Sequence, residues 1–299
     1  MKHIIYVLAG AALLTASCTA YEDNIQPDPA ATPVIATIGA ETRTQIGEKD
    51  GNAYKVVWNA GDRIIISTGT SSKDKAVYTT SAEGSPTASF YPEDNGSAID
   101  FAKGAIAGYP VENMYRGTPD ADKEIYFSIP EVQSYIPDSF DQGAMPMVSD
   151  VTDKAQLKFF NAAGVIRLAL TTKLADIKVS SITITTSSTI SGECGYIPKS
   201  RKVFFDDSML SSSEVTLECG EGVDISQEAK AFHIVVPHQT YTDMYIRVTT
   251  TDDLQQTFSL KPGKEITIGR SSISTLPLEI KALTPIGKPK ITASVKSVT

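Results

Sequence analysis

Short runs in which apolar and polar residues alternate recur along most of this 299-residue chain, and they constrain its fold more than any other feature. In one run Ile166, Leu168 and Leu170 share a face, and the run from Ile182 to Thr185 alternates as regularly. A period of two predicts β-strands with one buried face. Turn-forming residues separate the runs, and after the N-terminal segment no helical period lasts a dozen residues. The chain is therefore predicted to be all-β, built as sandwiches or barrels.

The stretch from Thr42 to Ile66 contains the single tryptophan of the chain, Trp58. Two apolar runs flank Trp58 and a Gly61-Asp62 pair, which is the pattern of a strand, a tight turn and a second strand. A tryptophan at a strand end is more typical of a sandwich core than of an exposed platform for sugars. We therefore expect the Trp58 side chain to be buried.

Residues 1–17 have the pattern of a signal peptide. Lys2 and His3 precede an apolar run, Ile4 to Leu14, which is too short to span a bilayer in the mature protein. Small residues then lead to Cys18, which resembles a bacterial lipobox, where cleavage leaves a lipidated cysteine at the N-terminus. The alternative is an ordinary secretory signal with an incidental cysteine. We predict lipidation of Cys18 and anchoring in the outer membrane through the lipid.

Residues 18–32 are predicted to form a tether, because they contain prolines and no apolar period. Their acidic pair, Glu22-Asp23, is either a surface-export signal or part of an ordinary solvated linker. The character of the chain changes again near Ser149 to Lys154. We therefore predict two domains, over residues 33–150 and 151–283.

Residues 284–299 form a tail that differs from the rest of the chain. Ile291, Ala293 and Val295 alternate with polar residues there, between lysines. This strand pattern has no partner close in sequence. It is a disordered terminus, an edge strand of the second domain, or a strand donated to another subunit.

Cys194 and Cys219 are the two cysteines that follow Cys18. Export places them in a compartment where disulfides form. They either pair across neighbouring strands or stay as two free, half-buried thiols, and their spacing leaves both open.

No pattern of residues in the sequence indicates catalysis. The mature chain has two histidines, His233 and His238, which we interpret as a strand residue and a loop residue. We find no nucleophile elbow, phosphate loop, Cys-x-x-Cys pair or metal-binding histidine pair. The formal net charge of −8 argues against a nucleic-acid partner. We expect no enzymatic activity, no cofactor and no metal site.

Several short motifs, in this order along the chain, resemble the fimbrillin family, the subunits of type V pili. They follow the lipobox at Cys18 and are Thr42-Arg43-Thr44, Trp58-Asn59-Ala60-Gly61-Asp62, Ile129-Pro130-Glu131-Val132-Gln133, Leu157-Lys158-Phe159-Phe160-Asn161 with Gly164-Val165, Ile190-Ser191-Gly192, Val236-Pro237 and Arg270-Ser271-Ser272-Ile273. Each motif is short, so their order over most of the chain carries the resemblance.

The resemblance implies two tandem β-sandwich domains of Greek-key, transthyretin-like type and export as a lipoprotein. It also implies that a trypsin-like protease cuts after a basic residue, here Arg43. The edge strand upstream, Val34 to Ile38, is then lost, and the groove accepts a strand from the next subunit. The candidate donor strand is the tail, with Ile291, Ala293 and Val295 in its apolar face.

Two functions follow as expectations. The first is a surface-exposed structural or adhesive fimbrial subunit, or a pilus accessory protein, which assembles by donor-strand exchange with other pilus subunits of the same or another kind. The alternative is a monomeric outer-membrane lipoprotein that binds a glycan or a host protein. Both place the protein at the cell surface, and the first places it in fimbriae.

Overall fold

The structure is a computed structural model that describes residues 32–39, 49–50, 53–54, 57–69, 71–93, 99–116, 125–205, 209–260 and 263–287. Within these ranges the regular structure is almost entirely β-strand. The helices found there are four 3-10 helices, Ser72–Asp74, Phe101–Lys103, Val111–Asn113 and Gln142–Ala144. The all-β prediction is confirmed. None of the helices in these ranges is long and apolar enough to cross a membrane.

A closed ring of seven strands forms the first part of the fold. Numbered in chain order, its strands are β1 (Val34–Ile38), β4 (Arg63–Ser67), β5 (Lys75–Thr79), β6 (Thr87–Pro92), β7 (Ile106–Tyr109), β11 (Met147–Ser149) and β12 (Gln156–Asn161). Around the ring the order is β1-β12-β11-β7-β4-β5-β6, and β6 pairs again with β1. The short strands β2 (Lys49–Asp50) and β3 (Ala53–Tyr54) pair with each other before β4.

Two sheets packed face to face form the second part of the fold. The larger is ordered β10-β18-β14-β21-β22-β25, with bounds Val132–Ser134, Glu214–Ile225, Ile177–Thr185, Tyr245–Thr250, Leu254–Ser259 and Thr284–Pro285. The smaller is ordered β19-β13-β24, with bounds Lys230–Pro237, Ala163–Thr172 and Ile273–Ile280. Their inward residues, among them Leu168, Ile182, Leu217 and Phe232, form one hydrophobic core. This part is a β-sandwich, as predicted.

A further sheet joins strands from both halves of the sequence. Its order is β16-β15-β9-β8, with β17 paired to β15, and the bounds are Lys202–Phe204, Ser191–Ile197, Ile125–Ile129, Met114–Arg116 and Ser211–Ser212. A short ladder joins β20 (Gln239–Tyr241) to β23 (Ile266–Ile268). Phe127 and Cys194 of the joining sheet share a core with Val148 of the ring and Val235 of the sandwich.

Strand pairing does not divide the chain at the predicted boundary between residues 150 and 151. β12 follows that boundary yet pairs within the ring. β10 precedes the boundary and pairs with β18 of the sandwich, and β9 pairs with β15. Strand pairing thus crosses the predicted boundary in both directions. The division into two domains remains a prediction.

Candidate functional site

β1 lies between two other strands of the ring. Its residues Ile35–Ile38 pair in parallel with β12, and Val34–Thr37 pair antiparallel with β6. The prediction that this is an edge strand is therefore wrong. Ile35 N–H donates to the Ala155 carbonyl oxygen at 2.9 Å on one side, and Ile38 N–H donates to the Pro86 carbonyl oxygen at 2.8 Å on the other. We call the space between β6 and β12 that β1 fills the β1 slot.

Three side chains of β1 point into the core of the ring. Val34, Ala36 and Ile38 are buried, whereas Ile35 and Thr37 are partly exposed. The inward residues join the aromatic and aliphatic side chains of the neighbouring strands in one cluster. The β1 slot is therefore filled by a strand with apolar residues at alternate positions and a small residue at the centre.

Trp58 forms the floor of the β1 slot. Its side chain is fully buried, which confirms the prediction of a core residue. Its ring meets Phe90 and Phe159 edge to face, with centroids 5.0 Å and 5.3 Å away. Phe90 lies in β6 and Phe159 in β12, so Trp58 contacts both walls of the slot. Trp58 Nε1–H donates to the Ala36 carbonyl oxygen at 3.1 Å, a bond to β1 itself.

A tight turn over Asn59–Asp62 holds Trp58 in place. Asn59 N–H donates to Asp62 Oδ2 at 2.8 Å, and the Tyr109 hydroxyl donates to Asp62 Oδ1 at 3.1 Å. Gly61 has a φ of 87°, a conformation that favours glycine. Burial raises the pKa of Asp62, and its two hydrogen bonds partly offset that rise. The Gly-Asp pair that the sequence indicated is thus a turn that orients the tryptophan.

The tail begins at the end of the sandwich remote from the ring. β13 starts next to β12 and runs ten residues, Ala163–Thr172, which is about 30 Å. β24 runs parallel to it and ends at Ile280, opposite Thr172. β25 follows and pairs with Leu254 and Gln255 of β22. The first tail residues, Thr284–Pro285, therefore lie far from the point at which β12 passes into β13.

Several predicted site residues lie outside the described residues. These are the lipidation site Cys18, the cleavage site Arg43 and the tail residues Ile291, Ala293 and Val295. Their predicted roles remain predictions.

Cys194 and Cys219 are free thiols. The structure therefore shows the free-thiol alternative and not a disulfide between them. Cys194 lies in the core under the joining sheet, and Cys219 lies in the sandwich core. Both are buried rather than half-buried. Burial raises the pKa of both thiols, that of Cys219 to about 12. They are therefore poor nucleophiles at neutral pH.

Gln133 joins the two sheets of the sandwich, a role that the sequence did not reveal. Its side chain is fully buried and its amide makes two bonds to one residue of β19. Nε2–H donates to the Val235 carbonyl oxygen at 2.8 Å, and Val235 N–H donates to Oε1 at 2.8 Å. The side-chain amide thus pairs with the backbone of Val235 as a neighbouring strand would, at the β19 edge of the three-stranded sheet. No local signal marked this role, because apolar Val132 would be expected to face inward, whereas Val132 is 60% exposed and Gln133 is buried.

His233 is buried beside charged residues, and its Nδ1 has no hydrogen-bond partner in the described part of the chain. Burial, with help from the charge of Arg167, lowers the pKa of His233 to about 4. The unfolded chain therefore binds a proton between pH 6.5 and 4 that the folded chain does not. Stability contributed by the neutral imidazole is complete above pH 6.5 and is lost as the pH falls through this window.

We predict that His233→Gln reduces the acid sensitivity of the protein. Between pH 7.5 and pH 5 the histidine accounts for a loss of about 2 kcal/mol in the free energy of unfolding. Urea unfolding at both pH values measures this loss in the wild type and the variant. An equal loss in both proteins would show that His233 does not cause it. His238→Gln is the comparison: burial lowers the pKa of His238 as well, but this residue is less buried, so the variant should reduce the acid sensitivity less.

No group of three or more histidine, cysteine, aspartate or glutamate side chains in the described ranges is arranged to hold a metal ion. The residues that stand out are instead structural: a strand, a buried tryptophan and a bridging glutamine. The arrangement can hold a strand, and we therefore treat the β1 slot as the candidate site.

The fold and the slot define an all-β protein in which a closed ring of strands is followed by a two-sheet sandwich. Neither a family model nor a curated protein matches the sequence. Among solved structures, a candidate cell adhesion protein from Bacteroides ovatus matches with a TM-score of 0.52 and 13% identity, over 85% of this chain and 95% of that one. One from Bacteroides uniformis matches with a TM-score of 0.50 and 14% identity, over 87% and 96%.

A fimbrial protein from Bacteroides vulgatus matches less closely, with a TM-score of 0.39 and 12% identity over 84% of this chain and 97% of that one. The fold comparison rests on the first two structures. They share the overall fold with this chain along nearly their whole length. Both are candidate cell adhesion proteins by description, and their likeness to this chain shows a shared fold.

Proposed function

We propose that this protein is a cell-surface fimbrial or adhesion subunit that assembles by exchanging β1 for the tail of another copy. One observation carries the proposal. The inward residues of β1 read Val34-x-Ala36-x-Ile38, and the tail contains Ile291-x-Ala293-x-Val295. Both place alanine between two β-branched apolar residues. A strand that fills the slot needs this pattern.

The position of β1 supports the proposal physically. Without β1, the edges of β6 and β12 lose their backbone partners on that side, and Trp58 loses the acceptor of its indole N–H. Buried backbone groups need hydrogen-bond partners, and an exposed strand edge readily pairs with another strand. Burying a valine or isoleucine side chain stabilises by about 1.5–3 kcal/mol. An empty slot therefore favours the uptake of a matching strand.

The order of β1, Arg43 and Trp58 along the chain supports cleavage after Arg43 as the step that starts strand exchange. Arg43 follows β1 and precedes Trp58 in sequence. A cut after Arg43 leaves β1 held by non-covalent contacts alone, so a competing strand can replace it. The tail begins, at Thr284–Pro285, at the opposite end of the body from the β12–β13 passage. Each subunit would offer a slot at one end and a strand at the other, which gives head-to-tail growth.

The proposed location is the outer membrane and the cell surface. Cys18 would carry the lipid, residues 18–32 would form the tether, and cleavage would release the subunit into a fimbria. The proposed partners are other pilus subunits, and the proposal assigns no catalytic activity and no nucleic-acid partner. The two neighbours that share the fold support this assignment, because both are described as candidate cell adhesion proteins.

A second function suits the uncut protein. Pairing around the ring is complete while β1 is in place, so the uncut chain has a filled slot. Such a chain would remain a lipid-anchored monomer and would act as an outer-membrane lipoprotein that binds a glycan or a host protein. The two functions differ in whether the chain is cut after Arg43.

We predict that the surface protein begins at Thr44 and forms ladders that resist SDS. Mass spectrometry of the N-terminus and electrophoresis without boiling measure the two properties. Arg43→Ala should abolish both, and a chain that ends at Gly287 should be cut but form no ladder. Lys49→Ala, at the next basic position, is the matched control. A lipidated monomer with Cys18 intact would contradict the polymer function and favour the second one.

A further inference from the structure

The centre of the β1 slot is narrow. Ala36 pairs with Ala88 of β6 and with Leu157 of β12, and both alanines are almost completely buried. Two alanines side by side leave space in the core, and Trp58 belongs to the same buried cluster as both of them. Its Nε1 lies 3.1 Å from the Ala36 carbonyl oxygen. A larger side chain at position 36 would enter the space of the indole.

The indole cannot easily move away from the slot. Its ring meets Phe90, Phe159 and Tyr109 edge to face, with centroids 5.0, 5.3 and 5.4 Å away. Phe90 and Phe159 belong to the two walls of the slot, so a shift of the indole would disturb both walls. The turn that follows Trp58 is fixed by the carboxylate of Asp62. Packed aromatic clusters of this kind resist overpacking.

We infer that Trp58 and Ala88 select the strand that fills the slot, by requiring a small residue at its centre. This inference rests on the proposed function, and it names the property by which a partner strand is chosen. The outer positions are more permissive, since they hold the β-branched Val34 and Ile38. A strand with a large central residue would be rejected even if its flanking residues fit.

The tail of a second copy is the occupant that meets this requirement. Within residues 284–299, one alanine has β-branched apolar residues two positions away on both sides, and it is Ala293. The requirement therefore fixes the register: Ala293 lies opposite Ala88, and Ile291 and Val295 take the outer positions. Because the pattern reads the same in both directions, it fits a parallel or an antiparallel insertion.

The test uses the full chain with a site for a sequence-specific protease in place of residues 40–46. After cleavage, binding of a fluorescent peptide with the sequence of residues 288–299 is measured by anisotropy. We expect the peptide with Ala293→Leu to bind about 30-fold more weakly than the unchanged peptide. The Ala293→Gly and Ile291→Val peptides are controls, and both should bind within a few-fold of the unchanged one.

Enlarging the slot should relax the selection. In cleaved protein with Trp58→Phe, the leucine peptide should recover most of the lost affinity relative to the alanine peptide. Ala88→Gly is a second variant with the same expected direction, in case the tryptophan variant does not fold. If the leucine and alanine peptides bind the unchanged slot equally, the inference is wrong and strand exchange stands. If no peptide binds the cleaved protein, the inference and the proposed function both fail.

Discussion

Replacing Trp58 with alanine is expected to lower the free energy of unfolding by about 4 kcal/mol. The side chain is fully buried and meets three aromatic rings, so its removal leaves a large cavity beneath β1. The hydrogen bond from Nε1 to the Ala36 carbonyl oxygen is lost as well. Trp58 contacts β1 and both of its neighbours, and no substitute from elsewhere in the ring fills that position.

Urea unfolding followed by circular dichroism measures this effect without depending on tryptophan fluorescence. Tyr245→Ala is the matched control, because Tyr245 is an aromatic residue that is 54% exposed. It should change the free energy of unfolding by less than about 0.5 kcal/mol. A loss below about 1 kcal/mol for Trp58→Ala would mean that the ring does not depend on this residue, and the description of the slot floor would be wrong.

Replacing Gln133 with alanine is expected to cost about 3 kcal/mol, the second largest effect. The change leaves both backbone groups of Val235 without their partner, and each buried unpaired group costs about 1–3 kcal/mol. Gln227→Ala is the matched control, since Gln227 lies exposed in the loop after β18. Equal unfolding midpoints for the two variants in urea would show that the bridge between the sheets contributes nothing.

The Gln133→Glu variant separates the bridge from simple packing. An ionised carboxylate accepts hydrogen bonds but cannot donate to the Val235 carbonyl oxygen, whereas a protonated carboxyl group can do both. The loss in the free energy of unfolding relative to the wild type should therefore be larger at pH 7.5 than at pH 5. A difference from the wild type that does not change with pH would contradict the role of the amide in both bonds.

Local alternation predicted individual strands well. It gave β1, β4 and β5 with their observed bounds, because each has one face in a core and one face outside it. It also predicted a buried tryptophan followed by a turn. It did not predict β18, Glu214–Ile225, although Val215, Leu217 and Cys219 alternate regularly. Two glycines and several carboxylates lower the strand propensity of that segment.

Local sequence patterns could not predict the order in which strands pair in the sheets. β1 pairs with β12, more than a hundred residues away in sequence, and no local feature records such a pairing. The edge strand that the family resemblance implies is in fact a strand between two partners. For the same reason the sequence placed β12 in the second domain, whereas its hydrogen bonds place it in the ring.

Some of the motifs behind the family resemblance have physical explanations. Gln133 ends one motif and bridges the sandwich sheets. Two other motifs meet where the ring passes into the sandwich. There, Ser271 N–H donates to the Ala163 carbonyl oxygen at 2.9 Å, and Val165 N–H donates to the Ser272 carbonyl oxygen at 2.9 Å. These three motifs thus mark joints of the fold.

Disulfide trapping tests most directly whether a tail replaces β1. Thr37 and Thr87 face each other across β1 and β6, with their Oγ1 atoms 3.1 Å apart. Ile38 N–H donates to the Pro86 carbonyl oxygen, so the neighbouring Thr37–Thr87 pair is the closer, non-hydrogen-bonded kind that suits a disulfide. A tail in the same register places Ser294 or Thr292 opposite Thr87, depending on its direction.

The measurement uses assembled chains that carry Thr87→Cys together with Ser294→Cys, Thr292→Cys or, as a control, Ser297→Cys. Cys194 and Cys219 should not compete, because burial raises the pKa of both thiols. The account predicts a disulfide between subunits from position 294 or position 292, and none from position 297. Assembled chains that form no link from position 294 or 292 would contradict strand exchange into the β1 slot.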